Sequence, residues 1–128
     1  MLYSILAYHE EADITSMTSE QDAALMDELL SYHNRLVAQG SMGPAARLDF
    51  TGKAVTLRGS GAGDVIDGPF AETKEALLGL YVVDCASQDE VVEIARGLRR
   101  ANPTAVYEIR PIMLYIPGAS LQAPEPQS

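Results

Sequence analysis

Leu77-Leu78-Gly79-Leu80-Tyr81-Val82-Val83-Asp84-Cys85 is the stretch on which the fold turns. It is short, strongly apolar and lacks the strict polar alternation of a strand with one wet face, so it reads as a buried strand. The next segment is helical. Ser87 and Glu90 stand three apart as a capping box, and Val91, Ile94, Ala95 and Leu98 continue as an apolar stripe. Asn102-Pro103 ends that helix, and Ala105 to Met113 reads as the last strand. Upstream lie Gly59 to Gly63, a glycine-rich loop tip, and two short strands, Arg47 to Phe50 and Ala54 to Arg58, with Gly52 at the turn between them. Before these, Thr18 and Gln21 open a helix carrying Met26, Leu29, Leu30, His33, Leu36 and Val37 at helical spacing, and Gly40 stops it. Leu2 to Tyr8 is the first strand, with Tyr3, Ile5 and Ala7 on one face and Leu2, Leu6 and Tyr8 on the other; His9 to Met17 reads as a polar loop.

The order strand, helix, strands, helix, strand predicts an α+β fold, the ferredoxin-like βαββαβ sandwich with an inserted β-hairpin. Both crossovers pack on the same side of such a sheet, which leaves the opposite face bare. Leu2, Leu6, Leu78, Leu80 and Val82 are expected on that face, and covering it with the same face of a second copy predicts a two-fold homodimer. Residues 1–115 form the expected domain, and 116–128, rich in proline and without periodicity, the expected disordered tail.

Composition limits the partners. The 128 residues suffice for one core without a disulfide or metal staple. A net charge of −9 with only nine Lys and Arg argues against direct nucleic-acid binding and against docking to anionic membranes. No apolar run spans a bilayer, the start Met1 to Leu6 reaches Glu10-Glu11 with no basic leader, and the single Cys85 cannot form an internal bridge; a cytoplasmic location is expected. No metal spacing, phosphate loop, dinucleotide fingerprint or Ser-His-Asp order occurs, so neither metal nor cofactor is expected.

Asp67-Gly68-Pro69-Phe70-Ala71-Glu72-Thr73-Lys74-Glu75 is the most distinctive stretch. Asp67 can accept backbone N–H groups in an Asx-turn, Gly68 can take angles closed to other residues, and Phe70 can anchor the loop to the core. One reading is a rigid turn; the other is a loop presenting Asp67, Glu72 or Lys74 to a ligand. Together with Gly79 to Asp84 and the closing Val106-Tyr107-Glu108-Ile109-Arg110-Pro111-Ile112-Met113, this run resembles the DGPF signature of the YCII-related family over roughly Met1 to Met113. The resemblance implies a dimeric α+β barrel with a cleft between sheet and helices. Some related barrels are cofactor-independent enzymes acting on small organic molecules, and some family members occur beside or fused to extracytoplasmic-function sigma factors. One branch of the family carries a His–Asp pair on and after the first helix. Here the matching position falls near Leu29, and no acidic residue lies in Ser41 to Arg47, so that pair does not carry over.

The expected function is small-molecule binding, with cofactor-independent catalysis as an extension; the alternative is a non-catalytic interaction or sensing module tied to a sigma factor. His33, on the apolar stripe of its helix, and Asp67 are the candidates for acid–base chemistry. Asp67, Phe70, Lys74, Arg47, Tyr81 and Arg110 are the candidate ligand contacts. Against each stands a plainer reading: a satisfied core imidazole for His33, core packing for the tyrosines, and an ion pair with Glu108 for Arg110. His9, beside Glu10 and Glu11, reads as part of a solvated loop, and Cys85 as a buried, inert thiol.

Overall fold

A computed structural model describes residues 1–122. Its strands are β1 (Leu2–His9), β2 (Met42–Arg47), β3 (Val55–Arg58), β4 (Asp64–Asp67), β5 (Ala76–Asp84) and β6 (Val106–Pro111). Its helices are α1 (Glu11–Thr15), α2 (Ser19–Ala38) and α3 (Gln88–Ala101), with a 3₁₀ turn at Thr51–Lys53. Four strands form one antiparallel sheet in the order β2-β5-β1-β6, and β3 and β4 make a separate hairpin. This is the ferredoxin-like α+β order with an inserted hairpin, as the sequence predicts. Of the expected tail, residues 116–122 lie in no helix or strand, and 123–128 fall outside the described residues.

The helix ends follow their local chemistry. Thr18 and Gln21 close the predicted capping box in both directions, at 3.1 and 2.9 Å. At the far end of α2, Ser41 N–H donates to Leu36 O and Gly40 N–H to Val37 O, both at 3.0 Å, the paired bonds of a Schellman stop. The box on α3 is half formed: Ser87 Oγ accepts from Glu90 N–H, while the Glu90 carboxylate takes the N–H of Ala86.

The core lies between the sheet and the helices. β1 alternates strictly, with Tyr3, Ile5, Ala7 and His9 buried beneath the helices. α3 meets this face with Val91, Ile94, Ala95 and Leu98, of which Val91 and Leu98 are fully buried, each contributing roughly 1.5–3 kcal/mol. α2 behaves differently. Of its twenty residues only Leu36 is buried, near the end where the helix meets α3. There Tyr32 packs onto Gly97: a Cβ added to that glycine would stand 2.2 Å from the Tyr32 ring. The helices can approach because α3 has no side chain at this point.

Several expectations are corrected. The polar loop His9 to Met17 contains α1, and His9 is the last residue of β1. The strand expected at Arg47 to Phe50 runs instead over Met42–Arg47 and pairs with β5. Its Gly43-Pro44 imitates a turn; proline is tolerated because β2 is an edge strand with an irregular register there. The hairpin is therefore β3 with β4 across Gly59 to Gly63, and Gly52 belongs to the 3₁₀ turn. Leu78, expected on the bare sheet face, is the unpaired residue where the register shifts between Ala7–Gly79 and Tyr8–Leu77, and it is buried on the helix side. Glu108 opposite Leu6 and Arg110 opposite Ser4 lie on the bare face, forming the ion pair at 2.6 Å with both side chains partly in solvent.

Candidate functional site

Reading across the sheet from β2 to β6, one row in register is Arg47, Gly79, Ala7, Tyr107. The neighbouring row is Ala45, Tyr81, Ile5, Ile109. The two central positions of the first row carry a hydrogen and a methyl group. Nothing there rises from the sheet to meet α2, which explains why the first half of that helix buries so little. The space left is a cavity of about 550 Å³. That is within the range of small-molecule sites, roughly 300–1,000 Å³.

Its roof is the apolar stripe of α2, Leu25, Met26, Leu29 and Leu30, with Ile14 of α1. Its main polar groups come from six elements. His9 and Tyr107 stand at strand positions, Tyr81 on β5, Arg47 on β2, His33 on α2, and Asn102 at the C-cap of α3. His9 is 4 % exposed. The Asn102 amide donates to its Nε2 at 2.9 Å, which leaves the ring proton on Nδ1, 3.4 Å from Thr104 Oγ1. Burial pushes the His9 pKa down, Asp13 opposes this, and Arg47 adds to it, so the ring is neutral at neutral pH. Burial also pushes the phenols of Tyr81 and Tyr107 up, Tyr107 furthest, where Tyr81 adds to the effect. Both keep their protons. Arg47 is bound two-fold by Asp22, NH2 to Oδ1 at 2.7 Å and NH1 to Oδ2 at 3.2 Å. That pairing raises the guanidinium pKa and holds the Asp22 carboxyl below its usual range.

Of the residues expected to contact ligand, the cavity brings together Arg47 and Tyr81, and with them His33. It does not bring in Asp67, Phe70, Lys74 or Arg110. Asp67 ends β4 with an exposed carboxylate that makes no hydrogen bond among the described residues, so the expected Asx-turn is not formed. Gly68 shapes the turn instead, at φ +105°, donating to Ala54 O at 2.8 Å and accepting from Thr56 Oγ1 at 2.9 Å. Phe70 does not anchor the loop: it is 77 % exposed, with the Arg58 guanidinium 4.8 Å over its ring. Lys74 pairs with Glu10 at 3.2 Å in solvent. The solvated-loop reading of His9 is overturned, because carrying the β1 alternation one residue past Tyr8 places it on the buried face. Asn102 was legible only as a helix end. Cys85 is buried, and burial raises its thiol pKa.

The model of the YCII-related domain matches residues 1–116 of this chain. The chain belongs to the YCII-related family. An uncharacterised protein of this kind, R00369 of Rhizobium meliloti (strain 1021), is 50% identical over 121 residues, covering 92% of this chain and 97% of that protein. In this YCII-related chain Pro69, Ala71, Glu72, Thr73 and Lys74 of the motif line a second, smaller and more polar cleft with Glu11, Thr51 and Ala76, where Thr51 N–H donates to Glu11 Oε1 at 2.9 Å. Among the described residues no group of His, Cys, Asp and Glu is placed to hold a metal ion, and no helix is long and apolar enough to cross a membrane.

Proposed function

We propose that this YCII-related protein binds a small organic molecule in the space between α2 and the Ala7–Gly79 floor, and that it does so as a homodimer joined through its bare sheet face. The observation that carries the reading is the paired absence of bulk at Ala7 and Gly79 beneath an apolar helix stripe. A core with no ligand to accommodate would close such a gap, because apolar surface left open to water forgoes roughly 25 cal/mol per Å². Neutral His9 and the two protonated tyrosines face the same space, which extends the reading to cofactor-independent proton transfer on the bound molecule.

The test is direct. A crystal structure of protein purified without denaturation is expected to hold density over Ala7 and Gly79, and Ala7→Leu is expected to abolish that density while raising the melting temperature. Empty density together with an unstable Ala7→Leu variant overturns the reading.

A second reading, the interaction module associated with a sigma factor, is favoured by the β3–β4 hairpin. Val55, Leu57 and Val65 stand exposed there, on a hairpin separate from the four-stranded sheet. Its mark is binding to an extracytoplasmic-function sigma factor that is lost when these three residues are made Thr and is indifferent to Ala7→Leu.

A further inference from the structure

The ionic groups around the cavity are already spoken for. Among the described residues Arg47 is its one permanent cation, and its two terminal guanidinium nitrogens each donate to Asp22, whose carboxylate neutralises the charge. Asp49, the one carboxylate among the described lining residues, accepts from Phe50 N–H at 2.7 Å and from Lys53 Nζ at 3.1 Å. The remaining polar groups, the Tyr81 and Tyr107 hydroxyls, the Asn102 amide and two imidazoles, are donors and acceptors of hydrogen bonds. The rest of the lining is aliphatic or aromatic. A charged ligand entering this space would lose its hydration with no free counter-charge to replace it.

We infer that the ligand is an uncharged, largely apolar molecule bearing a hydroxyl or carbonyl group, and that Asp22 enforces this choice by neutralising Arg47. Asp22 is itself not a lining residue; it acts through the guanidinium, as an internal carboxylate where a ligand's carboxylate would otherwise sit. The ligand's apolar body would fit over Ala7 and Gly79 beneath Leu25 and Leu29, with its oxygen toward the tyrosine hydroxyls. This inference rests on the cavity being the binding site.

Three probes of one shape separate the cases: 2-naphthol, 2-naphthoate and 2-naphthylmethylammonium, titrated by calorimetry into wild type, Ala7→Leu and Asp22→Asn. For wild type, 2-naphthol is expected to bind at least about tenfold more tightly than either ion, the scale set by one charged hydrogen bond. Asp22→Asn is expected to strengthen 2-naphthoate by about tenfold or more and to leave 2-naphthol within about threefold. Naphthoate binding wild type as tightly as naphthol, or unmoved by Asp22→Asn, overturns the inference; if Ala7→Leu still abolishes that binding, the cavity stands as the site. Failure of all three probes, or binding indifferent to Ala7→Leu, overturns both. Asp22→Ala serves as a second variant with the same expectation.

Discussion

The side chain of Asn102, at the end of α3, donates to Nε2 of His9, at the end of β1, across 2.9 Å of a buried site. The contact joins two element ends ninety-three residues apart and fixes the imidazole as its Nδ1 tautomer. Its consequence is measurable as pH dependence. The unfolded His9 protonates near its ordinary value of 6.5, whereas burial holds the folded ring neutral to lower pH. Below about 6.5 the unfolded state therefore binds more protons, and stability falls with falling pH. The depressed carboxyls of Asp22, Glu11 and Asp49 also lose stability in acid, but they start from ordinary values of 3.8 and 4.5. Urea unfolding between about pH 5 and 7.5 is expected to show a decline in wild type that His9→Gln flattens. Asn102→Ala, which leaves Nε2 unpartnered, is expected to cost about 1–3 kcal/mol at neutral pH.

The DGPF motif owes its shape to Gly68. The φ of +105° is closed to other residues, and both Gly68 backbone groups are bonded into the hairpin. Gly68→Ala is expected to destabilise by about 1–3 kcal/mol, and Thr56→Val by about 1 kcal/mol. Asp67→Ala is expected to stay within about 0.5 kcal/mol, since the carboxylate is exposed and bonds to nothing among the described residues. Thermal melts of the three variants check this, and the reverse order would restore Asp67 as the residue that holds the turn.

These contrasts mark what a sequence of this kind discloses. Periodicity and caps gave both long helices, since α2 and α3 carry their start signals locally at Thr18 and Ser87. The central strands were legible from β-branched and aromatic runs. The edge was not: Gly43-Pro44 carries turn chemistry inside β2, and only the unpaired side of an edge strand permits it. The site was legible in part. Arg47, Tyr81 and His33 stand out as chemical residue types, but the cavity is defined by Ala7 and Gly79, whose importance lies in being small and in register across two strands seventy-two residues apart. Composition is blind to that, as it is to Asn102, which reads as a helix end and serves as a hydrogen-bond donor.

Tyr32 and Gly97 bear on the packing of α2 against α3. An added Cβ would meet the ring at 2.2 Å, so Gly97→Ala must displace Tyr32 from its place beneath Arg35. Overpacking of this kind costs about 1–3 kcal/mol, against a helix-propensity gain of about 1 kcal/mol from replacing glycine. Gly97→Ala is expected to destabilise wild type, and to stabilise the Tyr32→Ala background, where the obstruction is gone. The double-mutant cycle is expected to show coupling of about 1–3 kcal/mol; additive effects would mean that the ring swings aside freely.

The bare sheet face yields the last prediction. Cross-strand register puts Leu6 opposite Leu80 and Glu108, Ser4 opposite Val82, and Tyr8 opposite Leu77 and Val106, all on the side away from the helices. Leu77 and Val106 are exposed in the single chain. A two-fold pairing of this face would place Leu6 and Leu80 of each copy near the centre, where a charge is most expensive to bury, and the Glu108–Arg110 pair on the edge strand nearer the rim. Leu80→Asp is therefore expected to yield monomers by light scattering at concentrations where wild type scatters as a dimer. Glu108→Gln, which removes only a solvent-screened pair, is expected to leave the dimer intact. Because the helices and cavity lie on the opposite face, the Leu80→Asp monomer should keep its secondary structure by circular dichroism. Wild type found only as monomers would remove the dimer and leave the cavity untouched.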